Sequence, residues 1–542
     1  MASGIGTAFD SYYFRSQGWW RDETLPEWLN RNVEKHGDRA ALATTVGTIS
    51  YRELGERVGK MATALGQIGI GRGDVVAVHL PNIPEFVVAW LAINARGAIM
   101  QTIHLPYGLR EIERLLSHSG AKAAIAPGIS KDRSRASEIV DLRGKVASLK
   151  HVISVGREVD GAREFAAMEA GAAGGNIGRT LAEAGGQYLL LYTSGTTSAP
   201  KGVAVTYNHF LSNARLAAGE FGLTEQDRIL CLAPFTHLYG LYTLQLGLAA
   251  GACACLVPMF TPPDFIEALR RTRPTVLFGG PGHVAVCMKQ RLFDGVDLSS
   301  LRIAVLSGTT VPPELSATFE HMLPNGRVMQ AWGMTELQFG TCGRPGDARE
   351  VRFNTVGRAM PGTEVRVTDA DNKSLTAGEI GELQVRGCSV FSGYAANAAA
   401  TAESFTADGW FRTGDLAEMD LGGNIRLRGR TKDIINRGGV KFNPAEVEPI
   451  IASHPAVAQA TIAPLPDLVL GERAACFVML HAGKTLSFDE LKQFLAARQV
   501  AKFMWPEQLE IVTEMPMTPT RKVIKSELVR QLLEQASGRT AA

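Results

Sequence analysis

The stretch LYTSGTTSAPKGV, residues 191–203, decides how the rest of the chain is read. It starts at the end of an apolar run, QYLLLY, and gathers five hydroxyl side chains (Thr193, Ser194, Thr196, Thr197, Ser198) around Gly195 before Lys201 and Gly202 close it. Glycine lets backbone N–H groups approach an anion, the hydroxyls add donors, and the lysine brings a mobile positive charge. A polar surface turn is the plainer alternative, but so many small donors directly after a buried strand favour a phosphate site. The spacing is not a Walker loop, because no Gly-Lys-Ser/Thr follows Gly195 at the required distance. P-loop kinases and GTPases are therefore disfavoured.

Outward from this loop the chain alternates helical and strand patterns. Upstream, LPEWLNRNVEKHG is amphipathic and stops at Gly37, ISYRELGERVGKMATALGQIG predicts a longer helix, DVVAVHL a strand, and PEFVVAWLAINARGA a helix from Pro84. Repeated βα units imply a parallel sheet covered by helices. Gly69, Gly71 and Gly73 mimic a dinucleotide fingerprint, but they follow a helix and precede a strand, the wrong order for a pyrophosphate. The small, glycine-rich run at residues 158–186 predicts a surface excursion. Downstream, TVLFGG, RIAVLSG and RVMQAWG continue the βα series. From about Gly357 short strands and turns (EVRVTDADNKS, GELQVRG) suggest an antiparallel barrel. GRTKD, 429–433, reads as a hinge, followed by a unit in which QATIAPL, AACFVML and FDELKQFLAAR repeat strand and helix.

Bulk properties exclude several classes. The 542 residues suggest more than one domain, and 45% hydrophobic against 20% charged residues support a buried core. Fifty-six lysines and arginines against 54 acids leave +2, too little to argue for nucleic acid or an anionic membrane as main partner. Seven cysteines without a paired framework fit reduced thiols and a cytoplasmic location. Cys253 and Cys255 read as buried small hydrophobes rather than zinc ligands. The N-terminus lacks the pattern of a secretory signal. Leu238 to Pro262 carries no charge, yet Gln245, Pro258 and three glycines make it helix, turn and buried strand rather than a membrane span.

The loop at 191–203 resembles the signature of the adenylate-forming superfamily: acyl- and aryl-CoA ligases, peptide-synthetase adenylation domains and luciferases. Further motifs recur in order across nearly the whole chain: SGTT (307–310), AWGMTE (331–336), WFRTGDLAEMD (410–420), GRTKD and PMTPTRKVIKSEL (516–528). The resemblance implies an α/β fold with a large N-terminal body, residues 1–430, of two parallel helix-covered sheets plus a small distorted β-barrel. A small mobile α+β domain, 431–542, would follow and carry the catalytic lysine.

Site roles follow from the same resemblance. Thr193, Ser194, Gly195, Thr196, Thr197 and Lys201 would hold ATP phosphates. Ser307, Gly308 and Thr309, with Trp332, Gly333, Met334 and Thr335, would line AMP, Thr335 touching the α-phosphate. Glu336 would hold Mg²⁺, a sensible role because magnesium takes a carboxylate plus phosphate oxygens; on local sequence alone an ordinary acid at a helix start is the commoner reading. Asp415 would accept the ribose hydroxyls, with Arg430 as second contact; locally Asp415 could equally cap a turn. Lys522 stands at the catalytic lysine's position, although Arg521 replaces the usual preceding glycine. Lys432 marks the hinge, and Gly438 and Gly439 the channel for coenzyme A.

His237, in APFTHLYG (233–240), stands near the acyl and thiol channels. Leu238, Phe278, Gly279, Gly280, Gly308 and Leu337 complete the expected acyl pocket. No aspartate for a substrate ammonium stands in that segment, so an amino acid is disfavoured. The mostly apolar walls, and Trp332 where relatives often have tyrosine, suggest a compact acid: alicyclic, aromatic or medium-chain. GWWRDETL is similar to cyclohexanecarboxylate–CoA ligases. The expected reaction is AMP-forming ligation of a small carboxylic acid to coenzyme A, by a monomer or homodimer. A stand-alone aryl-acid adenylating enzyme that loads a carrier protein is the runner-up, and a non-catalytic nucleotide-binding relative a remoter one.

Overall fold

The structure is a computed structural model that describes residues 8–128, 134–174, 180–193, 201–437, 440–467, 471–518 and 523–540. Two compact units divide the chain: Met1–Val365 with Val385–Phe411, and Arg366–Gln384 with Arg412–Ala542.

The first unit contains two large sheets. One runs, edge to edge, Arg163–Glu164, His151–Val155, Ala123–Pro127, Val75–Val78, Ile99–Thr102, Gln187–Thr193 and Lys201–Thr206. Its strands pair in parallel except the last, which returns antiparallel along Gln187–Thr193. The other runs Arg358–Ala359, Gln338–Cys342, Arg327–Met334, Ile303–Leu306, Val276–Gly279, Arg228–Cys231, Cys253–Cys255, Ala40–Ala43 and Thr48–Ser50. Its middle is parallel and its ends antiparallel.

The helices form where their caps and apolar faces dictate. Tyr51–Gln67 starts at Ser50, whose hydroxyl accepts the Glu53 N–H while the Glu53 carboxylate takes the Ser50 N–H. Pro84–Ala95 is buried continuously from Phe86 to Ala95, so it shows no polar stripe. Leu238–Ala250 ends at Gly251, φ 69°, before the strand Cys253–Cys255. The uncharged stretch is thus a core helix, turn and strand. Among the described residues no helix is long and apolar enough to cross a membrane. Gln245, in the middle of that helix, donates to Tyr188 Oη at 3.0 Å and accepts from Gln338 Nε2 at 2.6 Å.

One segment differs from its reading. The glycine-rich run contributes an edge strand, Arg163–Glu164, and a helix, Phe165–Gly171. Phe165 is the reason: its ring is fully buried and pins an otherwise small and polar segment.

The second unit holds most of a four-stranded sheet ordered Thr363–Thr368, Gly381–Gly387, Phe411–Met419 and Ile425–Arg430. A turn at Thr431–Asp433 leads to a five-stranded sheet built around Gly471–Leu480, which pairs with Val457–Asp467 and, in parallel, with Gln508–Ile511. Alternation on that central strand serves two cores. Cys476 and Val478 join Val447, Ile451, Leu491 and Leu495, whereas Ala475 and Phe477 join Leu465, Met515 and Leu528.

Candidate active site

The parallel strand Arg327–Met334 ends in a turn at Thr335–Leu337 and returns as Gln338–Cys342. Two residues shape this turn. Gln338 sits at φ 64°, and a β-carbon on Gly333 would overlap the Gln338 carbonyl oxygen. The turn sends Glu336 inward, 4% exposed, at the carboxyl end of a parallel strand where α/β sheets bind ligands. Tyr394 Oη donates to Glu336 Oε1 at 2.8 Å, and the Phe391 N–H donates to the Glu336 carbonyl at 2.8 Å.

Lys201 arrives from the other sheet. Thr193 and Lys201 are the last register pair of their hairpin, so the hydroxyl-rich loop leaves and returns at a paired strand end. The Lys201 ammonium lies 5.1 Å from the Tyr394 ring centroid, over its face. One tyrosine therefore touches both the lysine of the first motif and the acid of the third. The predicted loop residues Ser194, Gly195, Thr196 and Thr197 lie outside the described residues, as do Gly438, Gly439, Arg521 and Lys522.

The donor set fits magnesium. Among the described residues no group of three or more His, Cys, Asp or Glu forms a self-sufficient cage. A buried carboxylate oriented by a hydroxyl suits a hard cation that completes its shell with phosphate oxygens and water.

The Ser307 hydroxyl donates across to the Ala331 carbonyl at 2.8 Å, fixing the end of one parallel strand to the next. Gly308, at φ 93°, and Thr309 follow, both exposed. Around the expected acyl pocket, Phe278 stands 6.2 Å from Tyr239 and 6.4 Å from Phe339, ring to ring. Tyr239 Oη donates to the Val305 carbonyl at 3.0 Å. Trp332 is buried against Gly340, where any β-carbon would collide with the indole, and Leu337 packs on the same glycine. Leu238 begins the helix that carries Tyr239, while Gly279 and Gly280 follow Phe278.

His237 caps that helix, its Nδ1 accepting the Tyr239 N–H at 3.2 Å. Its ring stacks on His104 at 5.8 Å with 27° between planes, and His104 Nδ1 lies 3.2 Å from Thr236 Oγ1. Burial pushes His237 down to about 4. Burial, then the neighbouring His237 and His79, pushes His104 down to about 3. These groups take a proton near pH 6.5 in the unfolded chain but not in the folded one. Stability is therefore complete above about pH 6.5 and drains away as the pH falls toward 3–4. The urea midpoint should drop between about pH 7.5 and 5.5, and His104→Gln should drop less; parallel losses would show that the stack does not titrate as described.

Within the second unit, Asp415 and Arg430 are cross-strand partners, and Arg430 Nε donates to Asp415 Oδ1 at 2.6 Å. Asp415 thus sits in a strand rather than capping a turn, although Gly414 does adopt φ 69°. Lys432 is exposed in the turn that follows. Sequence reasoning missed Tyr394, His104 and Tyr239. For Tyr394 no local signal exists, because its partners, Glu336 in a turn and Lys201 on a strand, lie far from it in sequence.

A family model described as AMP-binding enzyme matches residues 29–395, and one described as AMP-binding enzyme C-terminal domain matches residues 446–522. A medium-chain fatty-acid–CoA ligase of Escherichia coli is 29% identical over 526 residues, 96% of this chain and 93% of the relative. A 3-[(3aS,4S,7aS)-7a-methyl-1,5-dioxo-octahydro-1H-inden-4-yl]propanoyl:CoA ligase of Mycobacterium tuberculosis is 34% identical, covering 93% and 98%. The crystal structure of ATP-bound MatB from Rhodopseudomonas palustris superposes with a TM-score of 0.82 at 27% identity, covering 94% and 99%. With the first match alone spanning well over half of its length, the chain belongs to the AMP-binding enzyme family, the adenylate-forming superfamily that its motifs resemble.

Proposed function

We propose that this enzyme joins a compact apolar carboxylic acid to coenzyme A, converting ATP to AMP and pyrophosphate. The observation that carries the reading is the buried Glu336, joined through Tyr394 to Lys201 at the mouth of the hydroxyl-rich loop. It stands in a chain that CoA ligases match almost end to end.

In the first half-reaction a carboxylate oxygen bonds to the α-phosphorus and the bond to the β-phosphate breaks, releasing pyrophosphate. The nucleophile is already ionised, so no base is required; the task is to place cations and donors where charge develops. Thr193 to Thr197 and Lys201 hold the leaving phosphates, Thr335 the α-phosphate, and Lys522 bridges it to the acid. Glu336 would hold magnesium, which supplies charge neutralisation on the phosphate oxygens. Asp415, oriented by Arg430, accepts the ribose hydroxyls.

In the second half-reaction the thiol of coenzyme A gives its proton to water, its sulfur bonds to the acyl carbon, and the bond from that carbon to the AMP oxygen breaks, releasing AMP. His237, with its low proton affinity, orients groups here rather than taking the thiol proton. The C-terminal domain, residues 431–542, rotates on Lys432 between steps and presents Gly438 and Gly439 to the pantetheine. Lys432→Pro should then damage thioester formation more than adenylation; equal turnover of both half-reactions would refute the hinge.

The ring cluster of Tyr239, Phe278 and Phe339 at the expected acyl pocket supports a compact acid. A panel of acids assayed for CoA-dependent AMP formation tests the whole reading. Activity confined to chains beyond about twelve carbons would defeat the compact pocket, since each added methylene needs room to be buried. A salicyl-AMP ligase / salicyl-S-ArCP synthetase of Mycobacterium tuberculosis, 31% identical, favours the carrier-protein alternative. Pyrophosphate exchange without any CoA-dependent AMP release would select it. The seven cysteines are free and buried, in keeping with a cytoplasmic protein.

A further inference from the structure

We propose that Tyr394 is a positioning residue for both charges of the nucleotide site: its hydroxyl sets the Glu336 carboxylate and its ring face sets the Lys201 ammonium. The inference rests on the reading that these two residues face MgATP.

The main chain of Tyr394 is held from several directions. It bridges Val203 in antiparallel fashion, and the next residue, Ala395, donates its N–H to the Gly202 carbonyl at 2.7 Å. Tyr394 N donates to Thr401 Oγ1 at 2.9 Å, and Thr401 Oγ1 donates to the Asn397 carbonyl at 2.9 Å. Asn397 in turn caps the helix Ala398–Ser404 by accepting the Ala400 N–H. On the ring side, Phe391 meets Tyr394 nearly perpendicularly at 4.9 Å, and Phe391 is itself tied to the Glu336 carbonyl. The phenol is therefore fixed to the strand that ends the hydroxyl-rich loop and to the turn that carries the acid.

Its chemistry suits two opposite charges. A phenol presents a donor at its edge and a negative quadrupole on its face, so it holds an anion and a cation at once without neutralising either. Tyr394 meets both charges and orients both.

The test uses the full-length protein and calorimetric binding of ATP, first in EDTA and then against increasing magnesium, so no acid substrate is needed. Tyr394→Phe keeps the ring under Lys201 and removes the donor to Glu336. It should raise the magnesium concentration for half-maximal tightening of ATP by about 5–10-fold and leave affinity in EDTA within about 2-fold. Tyr394→Leu should add a loss of about 5-fold or more in EDTA, because the ring face is gone as well. In a Glu336→Gln background, Tyr394→Phe should shift the magnesium dependence no further, a result that general loosening would not give.

An unchanged magnesium dependence in Tyr394→Phe overturns the inference while leaving the ligase reading intact, as does equal EDTA affinity for Phe and Leu variants. If the wild type binds no ATP, both fall together. If it binds MgATP as described but shows no pyrophosphate exchange with any acid, only the ligase reading falls.

Discussion

Lys522→Ala should slow pyrophosphate exchange by about 10²–10³, the scale for losing one preorganised charge contact at a transition state. Thioester formation from preformed acyl-adenylate should be largely spared, because the first half-reaction is then bypassed. A second lysine, Lys525, lies in the same stretch, TPTRKVIKSEL. Lys525 Nζ donates to Glu448 Oε1 at 2.8 Å, an ion pair within the second unit. Lys525→Ala should therefore weaken that contact, worth about 1 kcal/mol or less for a partly exposed pair, and leave exchange within a few-fold. Met517 and Val523, on either side of residues 519–522, bridge each other in antiparallel fashion. Equal damage to both half-reactions would reassign the lysine to binding alone.

Glu336→Gln should be nearly as costly to catalysis and almost silent in stability. The amide oxygen can still accept the Tyr394 hydroxyl, so packing and the hydrogen bond survive. What disappears is the negative charge that attracts a divalent cation, so exchange should fall by about 10²–10³, and added magnesium should recover only part of it. Exchange within about 3-fold of wild type, at ordinary magnesium, would remove Glu336 from the metal site.

What could be read from the chain was what is local to it. The helix stop at Gly37, the helix start at Pro84 and the turn through Gly69 and Gly73 each express a backbone preference within a few residues. The motif at 331–336 was legible through its resemblance to the superfamily's, and its place at a strand's carboxyl end agrees with that. Tyr394 was not, since its hydroxyl reaches an acid 58 positions away and its ring a lysine on another strand. Nor was the stack of His104 on His237, which joins the ends of segments lying far apart in sequence. Gln245 shows the same limit from the other side. A lone amide in an uncharged helix marked the segment as something other than a membrane span. Its partners, Tyr188 and Gln338, belong to strands of two different sheets and emerged only with the fold.

The borders of the two large sheets bear on how this protein keeps its own company. Three of the four outermost strands, Arg163–Glu164, Arg358–Ala359 and Thr48–Ser50, are two or three residues long. The fourth, Lys201–Thr206, is partly occupied by Tyr394 and Ala395. Long bare strands would invite a second chain to add on by backbone pairing, and a cell that makes much of such a protein risks precipitation. Here that invitation is withdrawn at each described rim of the two sheets, and at one of them by Tyr394, whose hydroxyl and ring also meet Glu336 and Lys201.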